Sequence, residues 1–383
     1  MAKALRLGLI GGGDDSFIGA IHRMAARLDG EYEICAGVLS SNPEKSKRSG
    51  EKIGLPSDRV YGSYQEMFAA EAKRADGIQA VSIVTPNHVH YGPAKLALES
   101  GIDVIIDKPL CLDLGEAREL RELVQKTGLG FALTYTYAGY PAVIEAKDLV
   151  ASGRLGKLRK VVVQYPQGWL GEKIEDQNQK QASWRTDPKR AGASCCFADI
   201  GSHAIQLAEN ISGQRVNQVL AELQTYVPGR SLDDDATVLL RFDGGMKGVA
   251  LVSQISSGEG NALKIALYGD KGGLHWSHDN NNQLILQWTD RPREILEIGG
   301  DKAYLSEATR RFVRTPSGHP EGYIEAFANI YTSFARHVRA RRAGEKQPYE
   351  FADVHDGFRG MAVVEAALTS SNEGSVWTKV ADK

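Results

Sequence analysis

Cysteine is scarce in this sequence, with four in 383 residues. A disulfide framework needs a short, cysteine-dense chain, so none is expected. Cys35 and Cys111 stand alone, and the adjacent Cys195 and Cys196 cannot make a Cys-x-x-Cys zinc pair. All four read as small buried or semi-buried residues, and no metal site is expected. No run approaches the roughly 18 apolar residues of a membrane-spanning helix. An excess of one charge is missing too. Lys plus Arg number 46 and Asp plus Glu 48, a net charge of −2, which is no electrostatic footprint for nucleic acid. Gly and Pro, 41 and 13, fall well short of a low-complexity or collagen-like composition. Met1 to Arg6 lead straight into a strand-like run, with no apolar leader and no twin-arginine signal. A cytoplasmic location is the expectation. What remains, 42% hydrophobic and 25% charged residues, is ordinary for a globular chain of about two domains.

The first part of the chain alternates short apolar runs with helical spacing. Strands are predicted over Leu5–Ile10, Ile34–Leu39, Ala80–Val84 and Val104–Ile106, and helices over Gly19–Leu28, Pro43–Ile53, His90–Ser100 and Leu112–Lys126. Continuous Val- and Ile-rich runs are what strands buried on both faces look like. Repeated β-α-β-α implies a parallel sheet with right-handed crossovers. After Tyr137 the pattern changes. A helix over Tyr140–Ser152 is followed by period-two alternation at Leu158–Tyr165 and Val216–Val227. A hairpin at Ala236–Phe242 and Met246–Ile255 comes next, then strands at Ala262–Tyr268, Leu284–Trp288 and Glu294–Ile298. Helical spacing returns over Glu321–Arg342 and Asp353–Ser371. The fold class is therefore α/β: a parallel-sheet domain over residues 1–136, then an α+β domain over 137–383 with a large, mostly antiparallel sheet. Pro166 to Ala193 shows no pattern and is long for a plain connection, which suggests a loop over an active site.

Four segments carry chemistry. The first strand runs into Gly11-Gly12-Gly13-Asp14-Asp15-Ser16-Phe17-Ile18-Gly19. Glycines are needed where a strand turns sharply into a helix and a pyrophosphate approaches the backbone, and the anion then rests on N–H groups at the helix start. The third slot of Gly-x-Gly-x-x-Gly holds Ser16, and Gly19 could supply the close-packing glycine if the loop is longer. Asp14 and Asp15 would repel a phosphate and are expected to point to solvent. Thr85-Pro86-Asn87, with His90 beyond it, follows the third strand, and Asp107-Lys108-Pro109 follows the fourth; both lie at carboxyl ends of strands, where open α/β sheets bind ligands. The fourth segment, Asp199-Ile200-Gly201-Ser202-His203, puts Asp199 and His203 on one helix face. His203 has the ordinary proton affinity of a general base; Asp199 could instead be a plain helix cap.

This combination resembles the Gfo/Idh/MocA family of oxidoreductases. The glycine loop ending Gly19-Ala20-Ile21-His22, then Thr85-Pro86-Asn87, Asp107-Lys108-Pro109, Trp184-Arg185 and Asp199-x-x-x-His203 occur in family order. The resemblance implies a Rossmann domain followed by a domain with an open-faced sheet, and a homodimer or homotetramer formed through that sheet. It implies that Lys108, Asp199 and His203 face the nicotinamide. His203 would deprotonate a secondary hydroxyl of a sugar, glycoside or cyclitol, Lys108 would stabilise the oxygen, and Asp199 would orient substrate or His203. Asp107 stands where the family more often has Glu. Cofactor contacts are expected from Gly11, Gly13, Phe17, Ile18, Ser40, Ser41, Thr85, Pro86, Asn87, His90, Asp107, Lys108, Trp184 and Arg185. Sugar sites need hydrogen-bonding groups and flat apolar surfaces. Tyr135, Tyr137, Trp169, Lys180, Arg185, His319 and Tyr323 offer these, beside Lys108, Asp199 and His203.

An NAD site usually has an acidic residue roughly 20 positions past the glycines. Here that slot is Ser40 or Ser41. Serine can hold an unphosphorylated ribose or donate to a 2′-phosphate, and Lys45 and Arg48 lie on the next helix. NAD is expected as cofactor, with NADP or dual use left open. Two other functional readings stay open: a glycosidase that works by transient oxidation, and a non-catalytic cofactor-binding regulator.

Overall fold

The computed structural model describes residues 3–177 and 179–382. Five strands, β1 (Leu5–Gly11), β2 (Tyr32–Val38), β3 (Ala80–Val84), β4 (Asp103–Ile106) and β5 (Phe131–Leu133), form a parallel sheet in the order β2-β1-β3-β4-β5. Every residue of β3 and β4 is buried, because helices cover both faces of such a sheet. The helices are α1 (Phe17–Leu28), α2 (Pro43–Ile53), α3 (Tyr64–Glu71), α4 (Tyr91–Glu99) and α5 (Leu114–Thr127). Ser16, Asn42, Ser63 and Asp113 cap α1, α2, α3 and α5 by accepting from first-turn N–H groups. Strand order reverses between β1 and β3, the place where such sheets bind ligands.

The second sheet has nine strands. They are β6 (Leu158–Pro166), β7 (Val216–Gln224), β8 (Asp235–Phe242), β9 (Lys247–Ser253), β10 (Lys264–Gly269), β11 (Gly272–Ser277), β12 (Gln283–Trp288), β13 (Glu294–Glu297) and β14 (Thr378–Lys379), ordered β13-β12-β11-β10-β6-β9-β8-β7-β14. Among the described residues β6 and β9 pair parallel, and the other seven pairings of this sheet are antiparallel. Burial alternates along β8 and β9: Ala236, Val238 and Leu240 point inward, whereas Leu239 and Leu251 stay exposed. Helices α6 (Pro141–Ala151), α7 (Lys180–Arg185), α8 (Pro188–Ala191), α9 (Ser202–Ser212) and α10 (Glu307–Arg310) complete this part. Strand β7 stops at Gln224, three residues before the predicted end, because Asp234 takes the N–H groups of Tyr226 and Val227. The stretch from Pro166 to Ala193 is not patternless: α7 and α8 lie in it, each too short to show helical periodicity.

The chain divides differently from the sequence expectation. The first compact unit runs to Gly139 and takes back Tyr323–Phe358; the second holds Tyr140–Gly322 and resumes at Arg359. The returning piece is α11 (Tyr323–Arg342) and the start of α12 (Val354–Asn372). Phe327, Ala328, Tyr331, Phe334, Ala335 and Val338 make a helical stripe on α11, packed with Leu5, Leu7, Leu9 and Ile21 of the first unit. A parallel sheet needs both faces covered, and α11 helps cover one.

His22 of α1 is wholly buried beside α11. Its Nδ1 lies 2.8 Å from the Tyr331 hydroxyl, which lies 2.7 Å from Ser82 Oγ. Burial pushes the His22 pKa down to about 4, against a smaller opposing pull from Asp107. An unfolded histidine titrates near 6.5, so between those values the unfolded chain binds more protons and stability rises with pH. The contribution, about 3 kcal/mol at most, is fully present above pH 6.5 and lost as pH falls toward 4. Urea unfolding across that window should show a steeper loss for the wild type than for His22→Gln. Superimposable pH profiles would exclude His22 as the source.

Candidate functional site

The glycine loop is built for close approach. Gly11 and Gly12 have φ of +79° and +66°, a region open to glycine at little cost. A Cβ on Gly19 would sit 2.4 Å from Gly12 Cα, so Gly19 is the close-packing glycine and the loop is longer than Gly-x-Gly-x-x-Gly. A Cβ on Gly13 would meet Leu39 O at 2.8 Å. Ser16 Oγ takes the N–H of Gly19 at 3.1 Å, and the N–H groups of Phe17 and Ile18 have no acceptor among the described residues. That cradle fits a pyrophosphate at a helix start. The Phe17 side chain is 70% exposed.

Gly11 pairs with Val84 across the sheet, which brings Thr85 beside the glycine turn. Thr85 Oγ1 is buried with no partner, an orphaned polar atom at the carboxyl end of β3. Asn87 is buried and Pro86 half-buried. His90 ties the two later motifs together: Nδ1 lies 2.8 Å from Pro109 O and Nε2 2.8 Å from Thr85 O. Burial lowers the His90 pKa, opposed by Asp107 and by those carbonyls. Asp107 Oδ1 accepts from Lys108 N at 2.8 Å and Thr134 Oγ1 at 3.0 Å. Lys108 is half-buried and its peptide bond to Pro109 is cis.

Asp14 and Asp15 do not simply point to solvent. Asp14 accepts from Lys52 Nζ at 2.5 Å and Ser49 Oγ at 2.6 Å, and Asp15 from Lys45 Nζ at 2.7 Å. The hydrogen bond from Lys52, then that from Ser49, holds the Asp14 carboxyl down at about 2. The loop carboxylates are thus tied to α2. Ser40 Oγ accepts from Asn42 N at 3.2 Å, and Ser41 is exposed.

In the second unit, Phe197–Gly201 is wound as a π turn leading into α9, with Ser202 N–H donating to Phe197 O. π turns inside helices are frequent at functional sites. The turn overturns the reading of Asp199 as a cap, because the helical path has already begun at Cys196. The buried carboxylate of Asp233 supports that start by accepting from Cys195 N and Phe197 N at 2.9 and 2.7 Å. Asp199 Oδ2 accepts from Arg185 Nε at 3.1 Å and Gln254 Nε2 at 2.9 Å. The Arg185 guanidinium lies 4.2 Å from the Trp184 ring centre and 5.9 Å from that of Trp169. Trp169 Nε1 donates to Gln167, Gln167 donates to Asn261, and Tyr165 donates to the same Asn261 oxygen. The Tyr165 ring is 6.4 Å from buried His203.

The second unit therefore brings together Trp169, Trp184, Arg185, Asp199 and, through Tyr165, His203. Lys180 opens α7 and is exposed. His319 does not join them: it is exposed, and its hydrogen bonds stay within its own turn. Tyr135, Tyr137 and Tyr323 belong to the first unit. The first two are buried, and Tyr323 packs edge-on to Phe327 at 5.3 Å. Sequence reasoning missed Tyr165, Gln167, Gln254 and Asn261. Gln254 is fully buried, and a polar residue at an inward position of a predicted strand was the available signal. All four cysteines are buried and free. Among the described residues no helix is long and apolar enough to cross a membrane, and no three His, Cys, Asp or Glu are grouped to hold a metal.

Residues 5–135 match the family model described as an oxidoreductase family with NAD-binding Rossmann fold, and residues 143–275 the GFO/IDH/MocA C-terminal domain. An inositol dehydrogenase homologue from Azotobacter vinelandii, complexed with NAD+, superposes with a TM-score of 0.94 at 34% identity, covering 99% of this chain and 98% of its own. Its complex with NADH and myo-inositol gives 0.90 at 33%, with the same coverage. The uncharacterised oxidoreductase YfiI of Bacillus subtilis is 32% identical over 99% of this chain and 98% of its own length. A levoglucosan dehydrogenase of Pseudarthrobacter phenanthrenivorans is 26% identical over 73% of this chain and 75% of its own.

Proposed function

Because this chain belongs to the Gfo/Idh/MocA family and is an NAD-binding oxidoreductase, we propose that it is a dehydrogenase oxidising a secondary hydroxyl of a cyclitol or sugar. The observation that carries the substrate class is the full-length match to a homologue complexed with NADH and myo-inositol. NAD, when bound, supplies the two-electron acceptor; the glycine cradle, Thr85 and the Asp107–Lys108 segment would hold it. His203 takes the proton of the substrate hydroxyl as general base. Lys108 donates to the oxygen as negative charge develops there. Arg185 and Gln254 fix the Asp199 carboxylate, which orients a substrate hydroxyl or the His203 ring. Trp169 and Trp184 supply flat apolar surface for a sugar ring.

The test is a panel of cyclitols, sugars and glycosides, read by absorbance of reduced nicotinamide. Net reduction with an inositol or sugar supports the proposal. Release of free sugar from a glycoside without net reduction overturns it in favour of a glycosidase.

We further propose that the open face of the nine-stranded sheet carries a homo-oligomer. Leu239, Leu251, Tyr268 and Ile295 leave large apolar side chains exposed on β8, β9, β10 and β13, and such patches mark association surfaces. Leu239→Glu with Leu251→Glu is expected to give a monomer by light scattering. An unchanged mass, dimeric or larger, would place the interface elsewhere.

A further inference from the structure

The corner that should read the cofactor's adenosine ribose has no carboxylate of its own. Strand β2 ends at Val38, followed by Leu39, Ser40 and Ser41. In dinucleotide-binding sheets an acidic residue here grips the ribose hydroxyls and repels a 2′-phosphate. Ser40 and Ser41 do neither by charge; the first turn of α2 holds Glu44 and Lys45 and its last turn Lys52, and the two lysines would attract a phosphate. On these residues alone the corner suits NADP as well as NAD.

The glycine loop alters that balance. It packs directly on this corner, since a Cβ on Gly13 would strike Leu39 O at 2.8 Å and Ser49 Oγ at 3.0 Å. From the loop, Asp15 reaches Lys45 at 2.7 Å and Asp14 reaches Lys52 at 2.5 Å. Lys45, the cation in the first turn of α2, is thus already matched by an anion, as is Lys52. We propose that Asp15 is a specificity-determining residue: by neutralising Lys45 it denies a 2′-phosphate its cation, and so sets the preference for NAD in place of the missing β2 carboxylate. A surface ion pair adds little to stability, so its position beside the cofactor, rather than folding, is what Asp15 serves. A 2′-phosphate entering the corner would meet an added negative charge from Asp15 and a lysine already engaged. Without the Asp15 charge, Lys45 becomes a free donor on the first turn of α2.

The inference rests on the NAD-binding reading, and the wild type tests that reading separately: it must bind 5′-ADP. The protein is titrated by calorimetry at low ionic strength with 5′-ADP and with 2′,5′-ADP, and by fluorescence with NADH and NADPH. Low salt matters because exposed charges are screened. Asp15→Asn is expected to shift the ratio of the two affinities toward the 2′-phosphorylated ligand by about tenfold, equivalent to ~1.4 kcal/mol. Adding Lys45→Gln to that variant is expected to return the ratio to the wild-type value. A ratio that moves less than about threefold in Asp15→Asn overturns the proposal. So does a shift that persists in the double variant, because the released lysine would then not be its cause. Wild type that fails to bind 5′-ADP removes the premise instead.

Discussion

Lys108→Ala and His203→Ala are each expected to lower kcat by about 10²–10⁴-fold on the substrate that the panel identifies. Those are the usual magnitudes for losing an electrostatic donor or a general base. The two losses should differ in kind. Lys108 lies two residues past the buried strand β4, and the intervening Asp107 is fixed by Lys108 N and Thr134, so the lysine stem leaves a rigid turn. Removing its ammonium should depress kcat and kcat/KM together, since the donor acts on charge present only in the transition state. His203 is buried on α9 beside Tyr165. As a base it acts on a proton, so added imidazole should partly restore the rate of His203→Ala and leave that of Lys108→Ala unchanged. NADH should still bind both variants, read by nicotinamide fluorescence, which separates a chemical defect from a misfolded one. Turnover within about tenfold of wild type in either variant would remove that residue from the mechanism.

The parallel half was legible because its signals are local. Strands β3 and β4 are continuous Val- and Ile-rich runs, Pro43 sits at the start of α2 where its missing N–H costs nothing, and the glycine loop declares a strand-to-helix turn. Phe131–Leu133 was missed since three residues carry no period, and α3 was missed because its eight residues mix apolar and polar types with little sidedness. The π turn at Phe197–Gly201 could not be read, because an extra residue in a helical turn leaves no compositional mark. The partners of Asp14 and Asp15 were hidden for a related reason: 35 positions separate Asp14 from Ser49, and no pattern in one segment reports on the other. The candidate site divides likewise. Lys108, Arg185, Asp199 and His203 stand in recognisable motifs. In the second unit Gln254 joins Asp199, and Asn261 joins Tyr165 and Gln167, from strand ends and loops, where only the fold selects them.

The least legible feature was the return of α11 to the first sheet, and its main polar anchor should be costly to remove. Asp103 opens β4 and is fully buried. Its carboxylate accepts from Arg341 Nη2 at 2.7 and 2.8 Å, from Arg342 Nη2 at 3.3 Å, and from Gly130 N at 2.8 Å. Breaking a buried pair by deleting one partner typically costs about 3–5 kcal/mol, because the other charge and its hydrogen bonds are left uncompensated. Asp103→Ala strands two guanidinium groups and the Gly130 N–H together, so a loss of about 3 kcal/mol is expected. Asp103→Asn keeps an acceptor for Gly130 and should lose less. Arg341→Met should cost least of the three, because Arg342 remains on the carboxylate and the Arg341 side chain, 29% exposed, keeps some access to water. Urea unfolding free energies of the three variants give the order directly. If Asp103→Ala lost under about 1 kcal/mol, the range of exposed pairs, the apolar stripe from Phe327 to Val338 and the Arg339–Glu31 pair would hold α11 to the sheet without it.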